Sequence, residues 1–410
     1  MAPTQSTLAD CPTVLGSVEI HQKLLGAMRG GASALTMAGL LGAASAFLYW
    51  LIIAHTNSAA TLGRSATIVL AGSLINAVTS FGLTVGLLQQ RAQERSSRRS
   101  VALAVAISVV GSLVIALGVG AIWPTAWLHD AGVTRLTLML LLVEVAAGLA
   151  VSTLVDTVAV GYGASQVALS RNALLLIIRV SLALFATSSL HGATAVTQLF
   201  VAPVIFSVCV ALPWFLWTTR TTIPWHHGPG AERAMLTTSM KSWPASLVFN
   251  AVTLGVPLSV SFIAGPVSGA VFYLLWNVGT LANSFVAALT SLGLGENRRH
   301  SRREILGNIG LVGLAAGVGG EVALLTFGEA YFRAGWLASL VLGLALVPYG
   351  YLQFRVMFLR RAGNHRRASL GTLALLLVAE LPLLLLRPQE LVMAALIWLV
   401  ASIAASLTVS

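Results

Sequence analysis

Charge is what this sequence has least of: Asp, Glu, Lys and Arg together make 9% of its 410 residues, where soluble domains carry about 25%. Hydrophobic residues make 57% and the mean hydropathy is +0.87. Together these exclude an ordinary soluble enzyme and point to an integral membrane protein. Cysteine is nearly absent. Cys11 falls in an N-terminal tail and Cys209 in an apolar run, a placement that offers neither a disulfide nor a metal pair. The eight histidines lie in the tail, in loops or at helix ends, and only His226 and His227 are neighbours. Adjacent histidines do not form the i, i+4 pair of a helical zinc site, so neither a metal nor a cofactor is expected. The tetrapeptide "LADC" ending at Cys11 has no apolar core before it, which sets aside a lipoprotein signal.

Long apolar runs are what the chain has in abundance. A crossing needs about 20 apolar residues, and twelve runs qualify: 33–55, 62–88, 101–123, 136–160, 172–189, 195–217, 244–264, 267–294, 305–327, 337–358, 369–386 and 391–407. Of the basic residues between them, nineteen fall on one side, including the clusters "RAQERSSRRS" (91–100) and "ENRRHSRRE" (296–304). Only Arg64, Arg135, Arg333 and Arg387 fall on the other. Cytoplasmic loops carry the Lys and Arg excess, so both termini are read as cytoplasmic. Each cluster residue near anionic headgroups contributes about 1 kcal/mol, and membrane lipids thereby account for most of the +11 net charge. Nucleic acid would need a folded basic surface with aromatic platforms, which these short loops cannot build.

The two clusters also mark a repeat. Each half begins with a mildly amphipathic stretch, "VEIHQKLLGAMRGG" or "GAERAMLTTSMKSW", and continues through a crossing, a small-residue turn, a second crossing and an arginine cluster. The implied fold is all-α: two parallel six-helix bundles around a central cleft, related by an axis along the membrane normal. The corresponding division is a tail at 1–32, a first bundle at 33–217, a cytoplasmic linker at 218–243 and a second bundle at 244–410. Such parallel repeats suit a transporter.

Three segments resemble bacterial polysaccharide exporters, the O-antigen and lipid-linked oligosaccharide flippases of the multidrug/oligosaccharidyl-lipid/polysaccharide (MOP) superfamily. "TMAGLLGAASAFLYWLIIAHTNSAATLGRSATIVLAGSLINAVTSFGLTVGLLQQ" is similar to their first two helices. "GYGASQVALSRNALLLIIRVSLALF" resembles their fourth-to-fifth junction, where an Arg-Asn pair and a buried basic residue recur. "GPVSGAVFYLLWNVGTLANSFVAALTSLGLGE" looks like their eighth helix. Twelve crossings depart from the fourteen-helix lipid II flippase branch. The resemblance implies a flippase that moves a lipid-linked glycan from the inner to the outer leaflet of a bacterial cytoplasmic membrane. The runner-up is a cation-coupled multidrug antiporter of the same superfamily, driven by H+ or Na+, and a third reading is a non-transporting cell-envelope scaffold. Multispanning polysaccharide polymerases and ligases resemble one another in a large outer loop bearing Arg and His, which is missing here, so the chain is read as no enzyme.

Ionisable residues inside a membrane are costly and usually face a partner or a water-filled cavity. Arg179 in the fifth crossing is the main candidate for the substrate pathway, because a guanidinium suits phosphate oxygens. Snorkelling to the interface or pairing with Asp156 are its alternatives. Glu144 and Asp156 in the fourth crossing, Glu321 in the ninth and Glu380 in the eleventh are the buried carboxylates. Glu144, Asp156 and Glu380 are candidates for ion coupling or for helix pairing. Glu144 and Asp156 stand about 120° apart around one helix and so share no face. Asn76, Asn250, Asn277 and Asn283 can both donate and accept, which fits either a hydroxyl-rich glycan or interhelical bonds. Gly82 with Gly86 and Gly313 with Gly317 form small-xxx-small pairs for close packing. The orientation is testable in a background lacking Cys11 and Cys209: in intact cells a membrane-impermeant maleimide should label Asn57→Cys and leave Gln93→Cys unlabelled.

Overall fold

The computed structural model describes residues 31–80, 82–92, 97–186, 192–220, 223–225, 230–295, 302–361 and 365–409. The N-terminal amphipathic stretch, residues 93–96 of the first arginine cluster and 296–301 of the second lie outside them. The first half comprises α1 (Gly31–Thr56), α2 (Ala59–Thr79), α3 (Leu83–Ala92), α4 (Arg98–Ile122), α5 (Thr125–Ala131), α6 (Arg135–Gly161), α7 (Ser165–Ala186) and α8 (Ala193–Thr218). The second half comprises α9 (Ala231–Ile263), α10 (Gly265–Gly295), α11 (Arg302–Phe327), α12 (Glu329–Arg361), α13 (His365–Leu386) and α14 (Leu391–Thr408). Among the described residues eleven helices are long and apolar enough to cross a membrane, and α10, with 31 residues, is the twelfth long helix. The protein is an all-helical, multi-pass membrane protein with two six-helix bundles.

The two halves repeat one packing pattern. In the first, α1 packs on α7, α4 on α6, α6 on α8 and α7 on α8. In the second, α9 packs on α13, α11 on α12, α12 on α14 and α13 on α14. The halves meet along α1, α2, α9 and α10. The apolar core does not stop at this seam: Trp50 and Leu62 of the first half share one buried cluster with Val256, Ala270 and Tyr273 of the second.

Several boundaries differ from those read off hydropathy. The second run, 62–88, is not one helix, because Gly82 takes φ +67 and the chain restarts as α3 at Leu83. A left-handed residue is tolerated cheaply only as glycine, and hydropathy does not register it. The latter half of the expected linker is helical: residues 231–243 are the first turns of α9. That extension is held by Gln90, whose Nε2 donates to the Ala231 carbonyl at 2.6 Å, and by Trp243, whose Nε1 donates to the Val78 carbonyl at 2.9 Å. Helix α5 was not expected; its Trp127 packs edge-on to Trp123 at 5.4 Å. Pro203 and Pro213 lie inside α8, Pro257 inside α9, Pro348 inside α12 and Pro382 inside α13.

The small-residue pairs sit where helices touch. Gly86 faces Met235 and Ser239 of α9, and Gly313 faces Gly343 and Val347 of α12. A Cβ on Gly343 would come within 2.6 Å of the Gly317 Cα, and backbone cannot give way as a side-chain tip can. A Cβ on Gly63 would meet the Pro266 carbonyl oxygen at 1.8 Å, directly across the seam between bundles. Gly343→Val should therefore destabilise the second bundle by about 1–3 kcal/mol, the usual cost of overpacking, read as a lower midpoint in a detergent melt. Gly63→Val should weaken the seam at the arginine-poor end, read as a longer spin-label distance between α2 and α10.

Candidate functional site

Arg179 is 2% exposed on α7, a helix packed between α1 and α8. Its Nη1 donates to Ser45 Oγ at 3.2 Å and its Nη2 to the Phe200 carbonyl at 3.1 Å. The guanidinium carbon stands 4.1 Å from the centre of the Phe200 ring. Nε has no hydrogen-bond partner among the described residues, and no ion pair there includes Arg179. Charged hydrogen bonds contribute about 1.5–3 kcal/mol each and a desolvated cation–π contact about 2 kcal/mol. Isolated burial of an ion costs several kcal/mol even after relaxation. The charge is thus cradled but not neutralised.

An aromatic cluster surrounds it. Tyr49 donates to the Val196 carbonyl, which ties α1 to α8. Phe200 stacks on Trp50 at 5.5 Å and meets Tyr49 edge-on at 5.4 Å. Trp50 then meets Tyr273 of α10 edge-on at 5.3 Å, so the Arg179 neighbourhood is continuous with the other bundle. Trp50 Nε1 is buried without a partner among the described residues.

Asp156 does not pair with Arg179, as one sequence reading had it. Its partner is Arg171, two turns earlier on α7: Arg171 Nε donates to Asp156 Oδ1 at 2.6 Å and Nη2 donates to Oδ2. Arg171 Nη1 reaches Ser207 Oγ at 3.3 Å, and Asn172 Nδ2 donates to Asp156 Oδ2 at 2.9 Å. The network pins α6, α7 and α8 together. Arg171 was counted among the basic residues of the arginine-rich side, yet it is 4% exposed; one turn into a helix, a long side chain turns inward once a carboxylate is waiting there. The Arg171-Asn172 pair of the resemblance is therefore a structural clamp in this chain.

The remaining carboxylates are dispersed. Glu144 on α6 is half-buried and makes no hydrogen bond or ion pair among the described residues. Glu380 on α13 accepts from Ser259 Oγ of α9 at 2.9 Å, while its Oε1 has no partner. Glu321 on α11 likewise leaves Oε1 without one. Each bundle thus holds one charged residue bonded to a serine of its entry helix, of opposite sign: Arg179 to Ser45, and Glu380 to Ser259.

The four asparagines are spread over three helices. Asn76 lies on α2 in the first bundle, its buried Oδ1 unpartnered. Asn277 on α10 turns back to its own helix, donating to the Tyr273 carbonyl at 2.8 Å. Asn250 is half-buried on α9, and Asn283 lies on α10 beyond the residues whose side chains are described.

Sequence reasoning missed a cavity of about 180 Å³ inside the second bundle. Phe249 and Thr253 of α9, Trp276 and Gly279 of α10, Tyr349 and Gln353 of α12 and Trp398 of α14 line it. The signal was present in the tenth run, where Tyr349 and Gln353 stand one helical turn apart in apolar sequence.

Removing one member of the Asp156–Arg171 clamp should be far costlier than removing both. Arg171→Ala strands a carboxylate and is expected to cost about 3–5 kcal/mol, whereas Asp156→Leu with Arg171→Met should be nearly neutral. Detergent melts of the two variants against the parent check this ordering.

No family model matches the chain, and no curated protein matches it. Solved structures do. An outward-facing multidrug resistance MATE family transporter of the MOP superfamily superposes with TM-score 0.57 at 14% identity, over 94% of this chain and 95% of that one. An inward-facing form matches with TM-score 0.55 at 11% identity, over 92% of each chain. A Pyrococcus furiosus MOP superfamily transporter, described by a reverse polarity of its binding pocket that suggests a different function, matches with TM-score 0.56 at 12% identity, over 95% of each. The chain therefore has the fold of these MATE transporters of the MOP superfamily.

Proposed function

We propose that this protein flips a lipid-linked oligosaccharide or polysaccharide precursor from the inner to the outer leaflet of a bacterial cytoplasmic membrane by alternating access. Both termini stand in the cytoplasm, 33–217 and 244–410 act as the two moving bundles, and the tail and linker lie outside the bilayer. The observation that carries this reading is Arg179: a permanently charged fork, fully buried, with Nε unpartnered and no carboxylate paired to it among the described residues. A lipid-linked glycan enters with an anionic phosphate or pyrophosphate, and that charge complements the guanidinium. Glycan hydroxyls would meet amides such as Asn76, with its free buried Oδ1, and Asn250, Asn277 and Asn283 on the opposite bundle. The lipid tail stays in the bilayer throughout.

The second reading is a cation-coupled multidrug antiporter. The described character of two structural neighbours as multidrug transporters favours it, as does the free Oε1 of Glu380. Against it stands the first bundle, where Asp156 is consumed by Arg171 and, well inside the described spans, Glu144 is the carboxylate left to attract a cation. The neighbour described by a reverse polarity of its binding pocket is a precedent for this fold with a pocket of altered polarity. In either reading Glu380, and next to it Glu144, would carry H+ or Na+ coupling.

Reconstitution in liposomes with a fluorescent lipid-pyrophosphate-linked oligosaccharide separates the two. Protein-dependent movement is expected, and Arg179→Ala should lower its rate about 10- to 100-fold, the equivalent of one or two charge-assisted bonds. Arg179→Lys, which keeps charge but not the fork, should recover part of it. Glu380→Gln should remove dependence on an ion gradient while leaving downhill movement. Proton-driven efflux of an organic cation, with no glycolipid movement and no effect of Arg179→Ala, would transfer the assignment to the antiporter.

A further inference from the structure

The cavity in the second bundle has a chemistry opposite to that of Arg179. None of its described lining residues carries a charge, so an ion entering it would be desolvated without compensation from them. Its walls combine aromatic faces with groups that both donate and accept. Trp398 packs against Trp276 at 4.9 Å and against Tyr349 at 5.2 Å, a rigid aromatic wall. Gln353 of α12, which bonds the Tyr349 side chain, shares the lining with Phe249 and Thr253 of α9, and an amide offers two donors and an acceptor with two lone pairs. At about 30 Å³ per water, 180 Å³ holds about six waters, room for one sugar ring. Apolar walls with a few placed polar groups are the usual make-up of a small-ligand site.

We propose that this cavity is a neutral saccharide subsite, in which a six-membered sugar ring lies against the aromatic wall of Trp398 and Trp276 while its hydroxyls bond to Gln353, Tyr349 and Thr253. The inference rests on the transport reading above and divides the cargo between the bundles: the anion in the first, at Arg179, and a sugar in the second. Asn76, Asn250 and Asn277 are not among its described lining residues; Gln353 and Tyr349 are.

Gly279 supplies a clean variant. A Cβ there would meet only Leu346, at 3.7 and 3.8 Å, ordinary contact distances, so Gly279→Ala fills the cavity without straining the bundle and Gly279→Val fills it further. Full-length protein in lipid nanodiscs, free of sugar detergent, would be titrated with a panel of neutral trisaccharides built of glucose, galactose or N-acetylhexosamine, following tryptophan emission. One member of the panel is expected to give a saturable change. Its apparent affinity should fall about 10-fold in Gln353→Leu and fall further in Gly279→Val. A flat response across the panel, or equal affinity in Gln353→Leu and Gly279→Val, overturns the subsite. So does saturation by tetraphenylphosphonium in place of every sugar, which would make the wall a cation–π site. A flat titration alongside Arg179-dependent glycolipid flipping removes the subsite alone; loss of flipping removes the transport reading on which it rests.

Discussion

Hydrocarbon offers the backbone no hydrogen bonds, and every other feature of this protein follows from that constraint. Each unsatisfied amide or carbonyl in the bilayer costs several kcal/mol, so twelve long helices satisfy their own backbones. Once lipid surrounds them, burying apolar surface no longer drives one helix onto another. What holds the helices together is close fit and the few polar contacts that lipid cannot supply. Both are visible: Gly343 on Gly317, Gly86 on Ser239, and the Asp156–Arg171 clamp joining α6, α7 and α8.

The same low-dielectric setting makes each buried charge informative. Asp156 and Arg171 satisfy one another and leave nothing for a ligand. Arg179, on the same helix, finds a hydroxyl, a carbonyl and a ring, which soften its burial without cancelling its charge. Glu380 is served still less, by a single serine. The bundles repeat in packing but not in chemistry: a buried cation stands in one, and a carboxylate and a neutral aromatic cavity in the other.

Where the bundles meet, the structure is tight rather than open. Gly63 abuts the Pro266 carbonyl, Trp50 abuts Tyr273, and the start of α9 lies along α3. Apart from the Arg99–Glu232 ion pair at 3.8 Å, these contacts are made by small and aromatic residues.

Much of this was legible in the chain. Scarce charge, twelve apolar runs and the duplicated pattern determined a helical membrane protein in two halves, because hydropathy and length act locally and accumulate along a helix. Small-residue spacing found the close contacts at Gly86, Gly313 and Gly317, since i and i+4 share a face whatever surrounds them. Arg179 stood out because any charge in an apolar run does. Only the tertiary structure decided which partners the charges have. Arg171 read as a loop residue and proved to be the clamp, since one turn into a helix the choice between snorkelling and pairing depends on whether a carboxylate faces it from another helix. The break at Gly82 depends on backbone dihedrals that hydropathy averages away. The cavity of Phe249, Trp276, Tyr349, Gln353 and Trp398 draws on four helices far apart in sequence, and a space between helices exists only once all four have been placed.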